Sequence, residues 1–96
     1  MNQTAAAAEV VVGVDTHKHI HVAVVISPLG IRLGTMTVRA NAKGYRDLAS
    51  WACSFGTIRA FAVEGTGSYG AALTRFLREQ EHAMIEVGSV ANFLGG

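Results

Sequence analysis

The stretch Val10-Val11-Val12-Gly13-Val14-Asp15-Thr16-His17-Lys18 decides the fold of this 96-residue chain. It opens with branched apolar side chains, which favour extended strands, and an acid at position 15 closes the apolar run. Because side chains alternate across a strand, the even-numbered residues share one face and the odd-numbered residues, Asp15 among them, share the other. The stretch therefore predicts a strand that carries an acid at its carboxyl end.

Two further strands are predicted directly after this one. Residues 19–26 alternate again, and residues 31–38 form a third run whose partial polarity suits an edge or a half-exposed position. Ser27-Pro28-Leu29-Gly30, which lies between these runs, has the residue types of a tight turn. Short connections join antiparallel neighbours, so we expect the first three strands to form an antiparallel meander.

The hydrophobic period then changes to that of a helix. Asn41 is a suitable N-cap, Tyr45 and Leu48 follow at helical spacing, and Gly56 is a suitable stop. The remaining predicted elements are a buried strand, a second helix and a short last strand, at residues 58–63, 69–80 and 83–87.

The resulting order is β-β-β-α-β-α-β. An antiparallel meander followed by parallel strands with right-handed helical crossovers is the core of the ribonuclease-H-like fold. We therefore expect an α/β protein with a mixed sheet, incomplete at its C-terminus. Residues 1–9 are expected to form a disordered N-terminal extension, residues 10–87 the folded core, and residues 88–96 an irregular tail.

Composition limits the class of protein. Half of the residues are hydrophobic and 16% are charged, which is typical of a globular chain and excludes a disordered one. The net charge of +1 gives no bulk attraction to nucleic acid, so any such partner must be argued from local features. The lone Cys53 excludes an internal disulfide and, with no apolar run long enough to span a membrane, favours a cytoplasmic location.

Asp15 and Glu64 are the sharpest candidates for chemistry, because each closes an apolar strand. Ligands of open α/β sheets gather at the carboxyl ends of the strands. Two carboxylates brought together there repel each other unless a hard cation lies between them, and Mg²⁺ is such a cation. The alternatives are that Asp15 is a turn residue that caps its strand and that Glu64 is a partly exposed strand end.

The loop Gly65-Thr66-Gly67-Ser68-Tyr69-Gly70 supports a rival interpretation. It matches G-x-G-x-x-G between a strand and a helix, and Glu86 lies where a ribose-binding acid belongs in a dinucleotide-binding domain. The preceding meander and the single strand that follows count against this function. If Asp15 and Glu64 form a cation site, the loop turns the chain tightly behind Glu64 and directs the start of the next helix toward the metal and a bound phosphate.

Several other polar residues are open to more than one interpretation. On an extended chain His17, His19 and His21 share a face, which permits a metal site but favours a polar hairpin face. The basic side chains that are candidates for nucleic-acid contacts, and otherwise solvated charges, are Lys18, Arg75 and Arg78.

The run at residues 12–18 resembles the opening of the insertion-sequence family one-ten (IS110) transposases. Its most specific companion is Val63-Glu64-Gly65-Thr66-Gly67-Ser68-Tyr69-Gly70. The other matches, in order, are Gly44-Tyr45 before the first helix, Trp51-Ala52 and Phe55-Gly56 within and after it, and Glu86-Val87. The resemblance covers residues 10–87 and implies that they form an N-terminal catalytic-core fragment. It fails at Glu81, which replaces the glycine usual after the second helix, and at residues 88–96.

This resemblance implies a ribonuclease-H-like domain of the Holliday-junction-resolvase type, with a catalytic Asp-Glu-Asp-Asp quartet that uses Mg²⁺. It implies insertion-sequence DNA as substrate, a guide RNA in characterised members, and a homo-oligomer. Asp15 matches the first acid and Glu64 the second. The other two acids and a catalytic serine lie later in the family, so we expect a truncated copy that is inactive alone; the alternative is a remnant or a regulatory binding module.

Overall fold

The computed structural model describes residues 9–64 and 69–85. Its elements follow one another as β1, β2, β3, α1, β4, α2 and β5, at Glu9–Thr16, Ile20–Ile26, Arg32–Arg39, Ala42–Cys53, Thr57–Glu64, Ala71–Glu79 and Met84–Ile85. This is the predicted order. The strand β1 begins at Glu9, one residue inside the segment expected to be disordered, and residues 1–8 and 86–96 lie outside the described part.

The sheet has the strand order β3-β2-β1-β4-β5. β1 and β3 each run antiparallel to β2, whereas β4 runs parallel to both β1 and β5. The mixed α/β sheet is therefore confirmed, and it is compatible with a ribonuclease-H-like fold. β3 lies at an edge of this sheet, which is one of the two positions that its partial polarity predicted.

Both helices cover the same face of the sheet. Leu48 of α1 and Leu73 and Leu77 of α2 are completely buried, and they share one core with the even-numbered residues of β1. Val12 and Val14 of β1 lie in that core and are only 0% and 2% exposed. The odd-numbered residues of β1 face the other side, as the period of two requires.

The start of α1 explains one of the matched motifs. Gly44 donates its backbone N–H to Asn41 Oδ1 at 2.8 Å, so Asn41 is the predicted N-cap. A Cβ atom on Gly44 would lie 1.9 Å from the backbone oxygen of Arg39. The pair Gly44-Tyr45 was expected before the helix but lies in its first turn, where only glycine permits this close approach to β3.

The end of α2 departs from ordinary sequence preference. Glu81 has a φ of 67°, in the left-handed region that favours glycine. Its N–H donates to the Arg78 oxygen at 2.9 Å, and the next N–H, of His82, donates to the Leu77 oxygen at 3.0 Å. These two hydrogen bonds form the Schellman motif. A glutamate therefore occupies a conformation that favours glycine. The helix itself begins at Ala71, later than predicted.

Candidate metal and nucleic-acid site

Asp15 and Glu64 are direct register partners on the parallel strands β1 and β4. The preceding pair, Val14 and Val63, lies in the core beneath the helices, so the two acids project from the opposite face. Neighbouring strands lie about 4.8 Å apart. The sheet therefore places both carboxylates side by side at the carboxyl ends of two strands. The Asp15 side chain is 64% exposed and Glu64 is partly exposed.

A hydrogen bond ties the two strand ends together beneath these acids. Thr16 Oγ1 donates to the backbone oxygen of Glu64 at 2.7 Å. Thr16 is 7% exposed and lies on the helix-covered face. This hydrogen bond thus fixes the register of β1 against β4 at the position of the acids. The alternation along β1 already placed Thr16 on the buried face, and a buried hydroxyl requires a partner, so this contact could have been anticipated.

His17 contacts one of the two acids. Its Nε2 lies 3.1 Å from Asp15 Oδ2, with the His17 and Asp15 side chains 52% and 64% exposed. The backbone N–H of His17 donates to the Ile20 oxygen at 3.0 Å, across the turn between β1 and β2. This contact could not be predicted from the sequence, because β1 ends at Thr16 and the position of His17 depends on the turn that follows.

The three histidines do not share a face, so that expectation is wrong. The chain turns at residues 17–19 instead of remaining extended; His17 and His19 are exposed, while His21 is completely buried. The His21 ring stacks on Tyr45 with a centroid distance of 5.9 Å and an interplanar angle of 5°. In the described part of the chain, no group of three or more metal-ligating side chains comes together.

The environment of His21 disfavours its charged form. Burial lowers the pKa of the His21 imidazole, the Ile20 oxygen beside it opposes that shift, and His17 nearby adds to it. Nδ1 lies 2.9 Å from the Ile20 oxygen, whereas Nε2 has no hydrogen-bond partner among the described residues. His21 is therefore a neutral core histidine beside the site and contributes no ligand to it.

The glycine-rich loop is only partly within the described residues. Gly65, Thr66, Gly67 and Ser68 lie outside them, as does Glu86 of the dinucleotide interpretation. Tyr69 is 50% exposed, and Gly70 is the buried N-cap of α2, without a side-chain hydrogen bond. The antiparallel pairing of β2 with both β1 and β3 is not that of a parallel doubly wound sheet, which counts against a dinucleotide-binding domain.

The three candidate basic side chains occupy different places. Lys18 is exposed in the turn that follows β1, three residues beyond Asp15. Arg75 and Arg78 are exposed on α2, the helix that covers the opposite face of the sheet from the acids. Arg78 lies in the last turn of that helix, where a cation also stabilises the helix dipole. Lys18 is thus the candidate nearest in sequence to the acid pair.

The described part of the chain also contains a cleft far from the acids. Its volume is about 350 Å³, and Val10, Val11, Pro28 and Ile85 line it together with the ion pair Glu9–Arg59. It lies at the start of β1, and Asp15 lies about 15 Å further along the strand at roughly 3.3 Å per residue. The acid pair is consequently a surface site and does not line this cleft.

A family model of transposases, the DEDD transposases of IS110, matches residues 12–91. The chain belongs to this family. A search of curated proteins found no match. Family membership supports a transposase or recombinase role, makes DNA the implied partner, and suggests a divalent metal. Among the described residues, no helix is long and apolar enough to cross a membrane.

Proposed function

We propose that Asp15 and Glu64 are the first two acids of a site that cuts and rejoins insertion-sequence DNA. The observation that carries this proposal is their pairing in register on β1 and β4, on the face away from the helices. Carboxylate oxygens are the donors that Mg²⁺ prefers, and this ion is usually held by one or two carboxylates together with substrate phosphates. The donor set thus fits Mg²⁺. When bound, the ion supplies charge stabilisation and activation of an attacking oxygen.

The surrounding residues have supporting roles in this proposal. Thr16 holds the ends of β1 and β4 in register, so that both carboxylates can bind the same cation. Lys18 is available for a substrate phosphate at this edge, and Arg75 and Arg78 would contact nucleic acid, DNA or a guide RNA, more remotely. The loop at residues 65–70 would direct the start of α2. We place the reaction in the cytoplasm and expect the working form to be a homo-oligomer.

Cation binding tests the proposal directly. Isothermal titration with Mn²⁺ and Mg²⁺ is expected to show weak binding, because Mg²⁺ loses its water reluctantly and the described residues bring only two carboxylates together here. Asp15→Asn and Glu64→Gln should each abolish it. The matched control is Glu79→Gln, which removes the same charge from an exposed position at the end of α2. Equal binding by the wild type and both site variants would refute the assignment.

DNA cleavage tests the division of the site. Asp15 and Glu64 match two of the four acids that the family resemblance implies, so we expect the 96 residues alone not to nick supercoiled or branched DNA in Mg²⁺ or Mn²⁺. The barrier rises by about 1.4 kcal/mol for each factor of ten lost in rate. The double variant Asp15→Ala, Glu64→Ala controls for contaminating nuclease. Nicking by the wild type alone would mean that a second copy of the chain completes the site.

A binding module without catalysis is the second candidate, and the open face of the sheet favours it. In the described part of the chain no helix covers that face, where Val22 and Val24 are only half-buried and Ile20 is 38% exposed. Uncovered apolar sheet surface favours association. Light scattering tests this candidate: a monomer at all concentrations, with no affinity for DNA or RNA at low salt, would exclude it.

A further inference from the structure

We propose that His17 is a positioning residue that holds the Asp15 carboxylate in the orientation from which it binds a divalent cation beside Glu64. The inference rests on the proposed function of the acid pair and adds a residue to it. Its basis is the 3.1 Å separation between His17 Nε2 and Asp15 Oδ2, which is hydrogen-bonding distance. With Nε2–H as the donor, Oδ2 accepts and Oδ1 stays free for the cation.

The base of the His17 side chain is fixed at the same edge of the sheet. Its backbone N–H donates to the Ile20 oxygen at 3.0 Å and lies 3.4 Å from His21 Nδ1. His21 is itself buried and stacked on Tyr45. The turn that carries His17 is therefore tied to the core, although the imidazole is half-exposed. The ring extends from an anchored point toward a carboxylate that would otherwise rotate freely in solvent.

The contact distinguishes a positioning role from direct ligation. One imidazole nitrogen either carries a proton that it donates or offers a lone pair to a metal, and it cannot do both. Because Nε2 is engaged with Asp15 Oδ2, it is occupied as a donor when Asp15 acts as the ligand. Hydrogen bonds from outside the ligand set orient ligating carboxylates, and their loss typically weakens metal binding by about 10- to 100-fold.

Substitutions at residue 17 test this role in the 96-residue chain, with Mn²⁺ binding followed by electron paramagnetic resonance. We expect His17→Ala to weaken binding by at least about tenfold. His17→Gln should retain most of the affinity, because its amide nitrogen can take the place of Nε2 as a donor. The matched control is His19→Ala, which removes an exposed imidazole from the same turn and should bind as the wild type does.

Two results would overturn the proposal. Unchanged Mn²⁺ affinity in His17→Ala would show that the imidazole does not orient the acid. An equal loss in His17→Gln and His17→Ala, confined to Mn²⁺ and absent for Mg²⁺, would identify a nitrogen ligand, since imidazole suits transition metals better than Mg²⁺. We expect His17→Ala and His17→Gln to leave thermal unfolding unchanged, because the side chains of His17 and Asp15 are both more than half exposed.

A cation-free measurement keeps the inference separate from the proposed function. The ¹⁵N spectrum of the His17 ring, taken where the imidazole is neutral, should show the proton on Nε2. Asp15→Ala should change the proportion of His17 that carries its proton on Nε2. Asp47→Ala, which removes a carboxylate paired with Lys43 on α1, should not. Identical His17 ring spectra in the wild type and Asp15→Ala would overturn the inference. If instead the wild type binds no cation, the proposed function fails and the ring spectrum still decides the contact.

Discussion

The two faces of β1 differ in almost every physical respect. The even-numbered face, from Val10 to Thr16, is buried beneath two helices, and its one polar group is satisfied by a hydrogen bond to β4. The odd-numbered face ends in Asp15, which is mostly exposed and paired in register with another acid. Because side chains alternate along β1, one face of the strand contributes to the stability of the fold and the other carries an acid of the proposed cation site. Substitutions on the covered face should change folding, and those on the acid face should change binding.

Leu48→Ala should produce the largest effect, because it acts on the covered face. Leu48 is completely buried in the core, and truncation of a buried leucine costs about 2–5 kcal/mol in the free energy of unfolding. That is a large part of the stability of a small domain. Leu29→Ala, at a position 85% exposed, is the control and should cost little. Urea unfolding measures both; a loss below about 1 kcal/mol for Leu48→Ala would contradict the described packing.

Thr16→Val should have the next largest effect, since it removes the hydrogen bond that joins the ends of β1 and β4. Valine keeps the shape of threonine but leaves the Glu64 oxygen without the hydroxyl, at a cost of about 1 kcal/mol or more in unfolding free energy. Thr16→Ser retains the donor and should recover most of the loss. If valine and serine were equally destabilising, the methyl group and not the hydrogen bond would hold these strand ends.

The acid face and the covered face were not equally predictable from sequence. The alternation of Val10 to Asp15 and the helical spacing of Tyr45 and Leu48 report burial directly, so the element order and the neighbouring positions of the acids followed from local patterns. Contacts of side chains in turns carry no period. The chain turns at residues 17–19, which places His17 on Asp15 and buries His21, and an assumed extended strand misses both.

The next effect concerns pH and the buried His21. Because its pKa is lowered in the folded protein, the unfolded chain binds a proton first as pH falls below the ordinary histidine value near 6.5. Stability from this residue is therefore present above that pH and is lost as the pH decreases, with a slope of at most about 1.4 kcal/mol per pH unit. His21→Phe should flatten the dependence between about pH 5.5 and 7, and His19→Gln should not. Identical slopes in the wild type and His21→Phe would refute this.

Glu81→Gly should stabilise the helix that covers the core. The left-handed conformation of Glu81 costs a non-glycine residue roughly 1–2 kcal/mol, from which the greater freedom of glycine in the unfolded chain subtracts about 0.4–1 kcal/mol. A net gain of about 0.5–1 kcal/mol is expected. The control is Glu79→Gly, two residues earlier. Glu79 is the last residue of α2, and glycine there should be destabilising because it is unfavourable within a helix. Thermal unfolding compares the two; a loss in Glu81→Gly would mean that the glutamate side chain makes a stabilising contact.

Asp15→Asn combined with Glu64→Gln should change stability least, and this tests the comparison of faces most directly. Neither side chain lies in the core, and the substitutions remove repulsion between two neighbouring charges, so without divalent cations the unfolding free energy should stay within about 0.5 kcal/mol of the wild type. Added Mn²⁺ should then separate the two proteins. A ligand that binds only the folded state stabilises it by RT ln(1 + [L]/Kd), so the wild type should gain stability with increasing Mn²⁺ while the double variant does not. Urea unfolding across a Mn²⁺ series, with Glu79→Gln as the charge control, measures this directly. A double variant that is strongly destabilised without Mn²⁺ would show that the acid face also maintains the fold, and the separation of roles along β1 would fail.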